Sequence, residues 1–185
     1  MLRLVENAPS GADEIPVRRA VKAVIMVPPT EPNESPGVIL LESENSGRFN
    51  IPGGGIKENE TPFETFVREI SEELGKKALK AIKYLEILGG IEGPATTSSG
   101  KEIFVHWTLL LMVLSDNPEL SIGDGIAELH RLTAEEVSGH PLVTDMAKRA
   151  VRLAIDRGLD DLFPDKNEAI ADRKISRAHL SLVVG

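Results

Sequence analysis

Cysteine is absent from the 185 residues. That excludes disulfides, thiolate nucleophiles and cysteine-based zinc sites, and it agrees with a reducing compartment. Positive charge is in short supply: 21 Lys and Arg against 29 Asp and Glu give a net charge of -8. Binding of nucleic acid through a broad basic face is therefore not expected. A phosphorylated small molecule remains an option, provided a metal ion supplies the missing positive charge. Long apolar runs are missing too. The longest, IFVHWTLLLMVL from Ile103 to Leu114, has twelve residues and is interrupted by His106, too short to span a bilayer as a helix. The start, MLRLVENAPSGADEIP, has no apolar core of a signal peptide and carries acids early. No membrane association and a cytoplasmic location are the resulting expectations. There is no internal repeat and no low-complexity segment.

What is present is an ordinary globular composition, 41% hydrophobic and 27% charged, with only 4% aromatic residues. The length suits one domain with a real core. Residues 1–16 read as an N-terminal arm broken by Pro9, Gly11 and Pro16. Residues 17–160 read as the folded domain, and 161–185 as a C-terminal extension in which NEAIADRKISRAHL has helical character.

Within the domain, VRRAVKAVIMV (Val17 to Val27) is rich in β-branched residues and predicts a strand. Four prolines in the ten residues from Pro28 to Gly37 predict a loop, and Val38 to Glu42 a second strand that completes a hairpin. Thr61, Pro62 and Glu64 form a capping box with proline at the first helical position, so a helix should start there and stop at Gly75. Leu79 to Gly93 reads as a strand interrupted by glycine, Pro94 to Gly100 as a loop, and Ile103 to Leu114 as a strand buried on both faces. A short strand over Ala127 to Leu132, a helix capped by Thr133 and Glu136, and an amphipathic helix from Leu142 to Gly158 complete the pattern. Strands and helices mix without regular alternation, which predicts an α/β fold with a mixed sheet.

One helix carries an unusual charge pattern: GGGIKENETPFETFVREISEELG, Gly53 to Gly75, crowds Glu69, Glu72 and Glu73 together. At 100° per residue the three span an arc of roughly 100°, beside a core stripe of Phe63, Val67, Ile70 and Leu74. The pairs 69/72 and 69/73 each cost about 0.2–0.5 kcal/mol on an exposed helix. Two readings are open. The face is simply solvated, with Arg68 bridging Glu64 and Glu72, or it collects carboxylate oxygens for a hard divalent cation.

The wider spacing favours the second reading. From Gly54 the chain runs glycine, five residues, Glu60, seven residues, then Arg68-Glu69-Ile70-Ser71-Glu72-Glu73-Leu74-Gly75. This resembles the Nudix box, G-x5-E-x7-R-E-U-x-E-E-x-G-U, with U a bulky apolar residue. Eight of the nine specified positions match; Lys76 replaces the last apolar one, and Lys57 stands where many members carry glutamate. The resemblance implies an α/β/α sandwich with a mixed β-sheet. It also implies Mg²⁺- or Mn²⁺-dependent hydrolysis of a nucleoside diphosphate linked to another group X. It makes Glu69, Glu72 and Glu73 metal ligands, with the backbone carbonyl of Gly54 beside them, Arg68 an orienting residue and Glu60 a support for the loop.

The general base is a box glutamate or a later acid, with Asp124, Glu128 and Glu102 as candidates and a solvated surface acid as the plain alternative for each. Pro94, eighteen residues beyond Lys76, leans the substrate toward ADP-ribose or a nucleotide sugar, and Tyr84 comes too early for the dinucleoside-polyphosphate pattern. The alternative is a nucleotide-sensing domain without catalysis, although such a sensor is free to lose its carboxylates and this chain keeps them. An isomerase on the same fold would need a further acid–base pair or a cysteine.

Other residues read plainly. His106 and Trp107 suit a packed strand, and His130, His140 and His179 show no ligand spacing. Arg18, Arg19 and Lys22 either meet phosphate or ribose or form a strand's outer face. The arm and the apolar end LSLVVG are candidates for a homodimer contact.

Overall fold

The computed structural model describes residues 16–31, 34–97, 99–115 and 118–157. The arm and the C-terminal extension thus lie outside the described residues, apart from Pro16.

Among the described residues six strands form one sheet, and four helices accompany them. β1 (Val17–Val27) turns back through the proline-rich loop into β2 (Gly37–Ser43), the expected antiparallel hairpin, with Ile25 opposite Ile39. β3 (Phe49–Asn50) pairs the far half of β2. α1 (Pro62–Leu74) and α2 (Lys76–Lys80) follow, then β4 (Ile82–Thr96) and β5 (Glu102–Leu114) as an antiparallel pair. β5 lies parallel to β1, and β6 (Ile126–Thr133) is antiparallel to β2. The order is β3-β2-β1-β5-β4, with β6 added on β2, a mixed sheet. α3 (Ala134–Gly139) and α4 (Asp145–Asp156) end the described domain.

Alternation along the strands builds a core on each face. Val24, Met26, Val38 and Leu40 point to one side, where α4 contributes Ala147, Ala150, Val151 and Ala154. Val21, Ala23, Ile25, Ile39 and Leu41 point to the other, against Phe66, Ile70 and Leu74 of α1 and Ala78 of α2. The small alanine face lets α4 lie close to the sheet. The result is the expected α/β/α layering. No helix of the described residues is long and apolar enough to cross a membrane.

Several boundaries differ from the sequence reading, each for a local reason. Lys76–Lys80 is a helix, so the strand expected from Leu79 begins at Ile82. The KKALK run consists of good helix formers and a single turn suffices. β4 then continues through Pro94–Thr96, where a loop was expected, because these residues pair with Phe104 to Glu102. β4 is an edge strand, where a proline lacking its N–H costs no ladder bond. The glycine interruption is a bulge between Ile87 and Gly89. β5 is buried on both faces only from Leu109 to Leu114; its first half alternates and stays partly open. The last helix starts at Asp145, since Thr144 caps it by accepting from the Ala147 N–H. On α1, Thr65 and Phe66 are buried while Phe63 and Val67 are only partly so, so the core stripe is rotated toward Glu73.

Candidate active site

The site begins with a backbone docking. β1 and β2 diverge, and the segment after β3 fills the gap alongside β1. The Val21 N–H donates to the Gly54 carbonyl at 2.9 Å and the Ala23 N–H to the Pro52 carbonyl at 2.9 Å, while the Ile56 N–H donates to the Arg19 carbonyl at 3.0 Å. The Lys22 Nζ donates to the carbonyls of Ile51, at 3.0 Å, and of Gly53. Gly53 has φ +120°, and a Cβ there would sit 2.3 Å from the Val21 carbonyl oxygen. Only glycine permits that conformation and that approach.

α1 then presents the carboxylates. Its start is pinned as expected: the Thr61 hydroxyl accepts from the Glu64 N–H at 3.2 Å and the Glu64 carboxylate accepts from the Thr61 N–H at 2.8 Å. Arg68 is the hub. Its guanidinium grips both oxygens of Glu60, at 2.6 and 2.9 Å, and donates to Glu69 at 2.6 Å, Glu72 at 3.1 Å and the Gly55 carbonyl at 3.1 Å. This two-pronged bond to Arg68 holds the Glu60 carboxyl at about 2, and the carboxylates in turn raise the Arg68 pKa above its ordinary value. Glu60 also accepts from the Thr65 hydroxyl at 2.9 Å and the Lys57 N–H at 3.2 Å. It is a strut for the loop.

The three crowded glutamates have different surroundings. Glu72 is open to solvent, with its side chain 57% exposed, whereas that of Glu69 is only 14% exposed. Gly54 lies so close that a Cβ there would meet Glu69 Oε1 at 2.3 Å. Glu73 accepts from the Gly53 N–H at 2.7 Å. Burial raises its carboxyl to about 7; Lys22 and the Gly53 N–H pull it down, and Glu69 and Glu72 push it further up. Lys22 is the mirror case: burial lowers its ammonium, and Glu73 and Glu69 act against that.

The far end of α1 is closed by the loop before β6. The Ser121 N–H donates to the Leu74 carbonyl at 3.0 Å and the Gly123 N–H to the Glu73 carbonyl at 3.1 Å. That loop brings exposed Asp124 to the end of the carboxylate helix. Glu102 and Glu128 are placed elsewhere. Glu102 begins β5 opposite Thr96, exposed. Glu128 faces Glu42 across β6 and β2, on the strand face shared with Leu40 and Leu132, the α4 side. There Glu42, Glu128 and His130 have ligand-capable atoms within 4.8 Å of one another. His130 Nε2 lies 2.8 Å from Glu42, and the His130 ring stacks on Phe49 at 4.0 Å, with His140 4.9 Å away on Phe49 as well. His106 pairs with Glu92, and Trp107 is half-buried against the α4-side core. The sequence offers Asp124 as a candidate base and Lys22 as a phosphate or ribose contact or an outer-face residue; it does not foretell that the loop over 121–125 closes α1 or that Lys22 bonds the Ile51 and Gly53 carbonyls. Gly123 was a weak signal for the loop, since a Cβ there would lie 2.2 Å from the Glu72 carbonyl oxygen.

Known proteins share this family and fold. The NUDIX domain family matches residues 18–153. The RNA pyrophosphohydrolase of Helicobacter pylori (strain P12) is 35% identical over 60 residues, 32% of this chain and 39% of that relative, so the chain matches well under half of that protein's length. Two solved structures share the fold. The NUDIX domain of Shewanella oneidensis NrtR, complexed with ADP ribose, superposes with a TM-score of 0.61 at 18% identity, covering 82% of this chain and 94% of that one. The E. coli dihydroneopterin triphosphate pyrophosphohydrolase gives 0.61 at 14% identity, covering 77% and 99%. With the family matched over residues 18–153, well over half of its length, the chain belongs to the Nudix family.

Proposed function

We propose that this protein hydrolyses a pyrophosphate bond in a nucleoside diphosphate linked to another group, with ADP-ribose or a nucleotide sugar the favoured class. A divalent cation, Mg²⁺ or Mn²⁺, would be held by Glu69, Glu72 and Glu73 with the Gly54 carbonyl. The observation that carries this reading is the carboxylate face of α1 and its framing. One cationic hub, Arg68, holds Glu69 and Glu72, while the Gly53 N–H holds Glu73. A helix built for stability alone gains nothing from such a set.

The donor set fits a hard cation. Carboxylate oxygens from adjacent turns of one helix can converge, and Glu72 leaves room for retained waters. The Gly54 carbonyl accepts one N–H, from Val21, and keeps a second lone pair. When bound, the cation neutralises pyrophosphate charge and acidifies a water. The chain's own residues do the rest. Arg68 fixes the rotamers of Glu69 and Glu72 and offsets their repulsion. The Gly53–Gly55 backbone approaches the site without side chains. Glu73, whose carboxyl lies at about 7 in the cation-free fold, would give up its proton to hold the cation. The substrate class rests on the ADP ribose bound by the NrtR relative and on Pro94.

The test is a panel of ADP-ribose, nucleotide sugars, dinucleoside polyphosphates and nucleoside triphosphates, with and without Mg²⁺ or Mn²⁺. Metal-dependent release of a mononucleotide from the first two, abolished in Glu73→Gln, is the expected result. Nucleotide-induced stabilisation with no cleavage under any condition would replace hydrolysis by plain binding.

A further inference from the structure

Four successive carbonyls, those of residues 51 to 54, are all bonded to three successive residues of β1. Those of Pro52 and Gly54 accept from the backbone N–H groups of Ala23 and Val21. Those of Ile51 and Gly53 point the other way, where no backbone donor of β1 reaches, and accept from the side chain of Lys22. An alternating strand thus serves alternating carbonyls, with one ammonium replacing a neighbouring strand's amides.

The peptide groups held in this way are the ones that meet the carboxylates. Gly53 is bonded at both ends, its carbonyl to Lys22 and its N–H to Glu73 at 2.7 Å. Gly54 packs against the Glu69 carboxylate with no space for a Cβ. A rotation of either peptide would therefore shift Glu73 or Glu69. Gly53, in its glycine-only conformation, has little local preference of its own to resist such a rotation.

We infer that Lys22 is a positioning residue: its ammonium clamps the carbonyls of Ile51 and Gly53, and through them holds Glu69 and Glu73 in the arrangement that binds the cation. This rests on the metal-dependent reading above. Lys22 need touch neither cation nor substrate to act.

Simple electrostatics makes the opposite prediction, and this permits a decisive test. Lys22 is a positive charge near Glu69 and Glu73, so deleting it would, by Coulomb's law alone, tighten the binding of another cation. Deleting a clamp loosens it. Mn²⁺ binding would be measured by electron paramagnetic resonance, without substrate, on the wild type, Lys22→Met and Lys22→Arg. Hydrogen exchange of the segment 51–56 would be followed in the metal-free proteins. The clamp predicts roughly 10–100-fold weaker Mn²⁺ binding in Lys22→Met, as for other outer-sphere supports. It also predicts faster exchange confined to 51–56, with both effects largely restored in Lys22→Arg, which keeps charge and donors. Should Lys22→Met fail to fold, Lys22→Leu, which also removes the charge and the donors, serves the same comparison. Unchanged or tighter Mn²⁺ binding with unchanged exchange would overturn the clamp. A wild type that binds no Mn²⁺ would remove the metal reading itself, and unchanged exchange would then remove the clamp separately.

Discussion

Glu73 makes the stability of the metal-free protein depend on pH in an uncommon direction. Its carboxyl titrates at about 7 in the fold, against an ordinary 4.5, because α1 carries it toward the core. Between those two values the folded chain keeps a proton that the unfolded chain releases. The proton therefore favours folding: stability from this group is full below about 4.5 and is lost as pH rises through about 7. At ~1.4 kcal/mol per pH unit the gap is worth at most about 3.5 kcal/mol. Glu60 works the other way, since its carboxyl lies near 2 and its contribution is present above the ordinary value and lost as pH falls.

Glu73→Gln isolates the effect, because the amide is neutral at every pH and its oxygen can still accept from the Gly53 N–H. In EDTA at about pH 8 the variant should be more stable than the wild type by about 2–3 kcal/mol, and near pH 4.5 the difference should vanish. Urea unfolding followed by Trp107 fluorescence reads this directly. Excess Mg²⁺ should reverse the order at high pH, since a ligand bound only by the ionised fold stabilises the wild type. An offset between the two proteins that stays constant from about pH 4.5 to 8 in EDTA would refute the assignment of the buried proton to Glu73.

Other consequences follow from single contacts. Arg68→Lys keeps the charge but cannot grip Glu60 at two points while reaching Glu69, so metal-dependent hydrolysis should fall on the order of 10–100-fold in a steady-state assay. Gly54→Ala drives a Cβ into the space of the Glu69 carboxylate, 2.3 Å away, and should weaken Mn²⁺ binding while the circular dichroism spectrum stays unchanged. Thr61→Ala removes the capping hydroxyl of α1 and should cost about 1 kcal/mol, seen as a Tm lower by roughly 2–4 °C in calorimetry. Glu128→Gln should leave hydrolysis within about twofold of the wild type, because Glu128 sits on the α4 side of the sheet, away from α1.

The parts of this structure that were legible in the sequence are those with local causes. The ends of α1 followed from Thr61, Pro62, Glu64 and Gly75, all within a turn of the helix terminus they define. The strand core of β1 followed from its β-branched run. Failures came where a distant partner decided the outcome. Pro94 to Thr96 became strand because β5 was there to pair with them, and five residues of KKALK carry too little pattern to separate a helical turn from a strand start. The carboxylate face of the site was visible, since helical spacing alone groups Glu69, Glu72 and Glu73. Of its support, the resemblance pointed to Arg68 and Glu60 but not to the Lys22 contact. Lys22 reaches Ile51 and Gly53 across 29 and 31 residues, and nothing near Lys22 distinguishes it from a surface lysine on a strand.

The edge formed by β4 also limits how this protein can meet copies of itself. A free strand edge invites another chain to add its own backbone, and an uninterrupted row of amides and carbonyls is the template for that addition. Along β4 the row is broken three times, by the register shifts at Ile82–Tyr84 and Ile87–Gly89 and by Pro94, which has no amide to offer. The interruptions fall within one fifteen-residue strand, so no long stretch of it presents a regular ladder. Self-association through continuous sheet extension is disfavoured on that side.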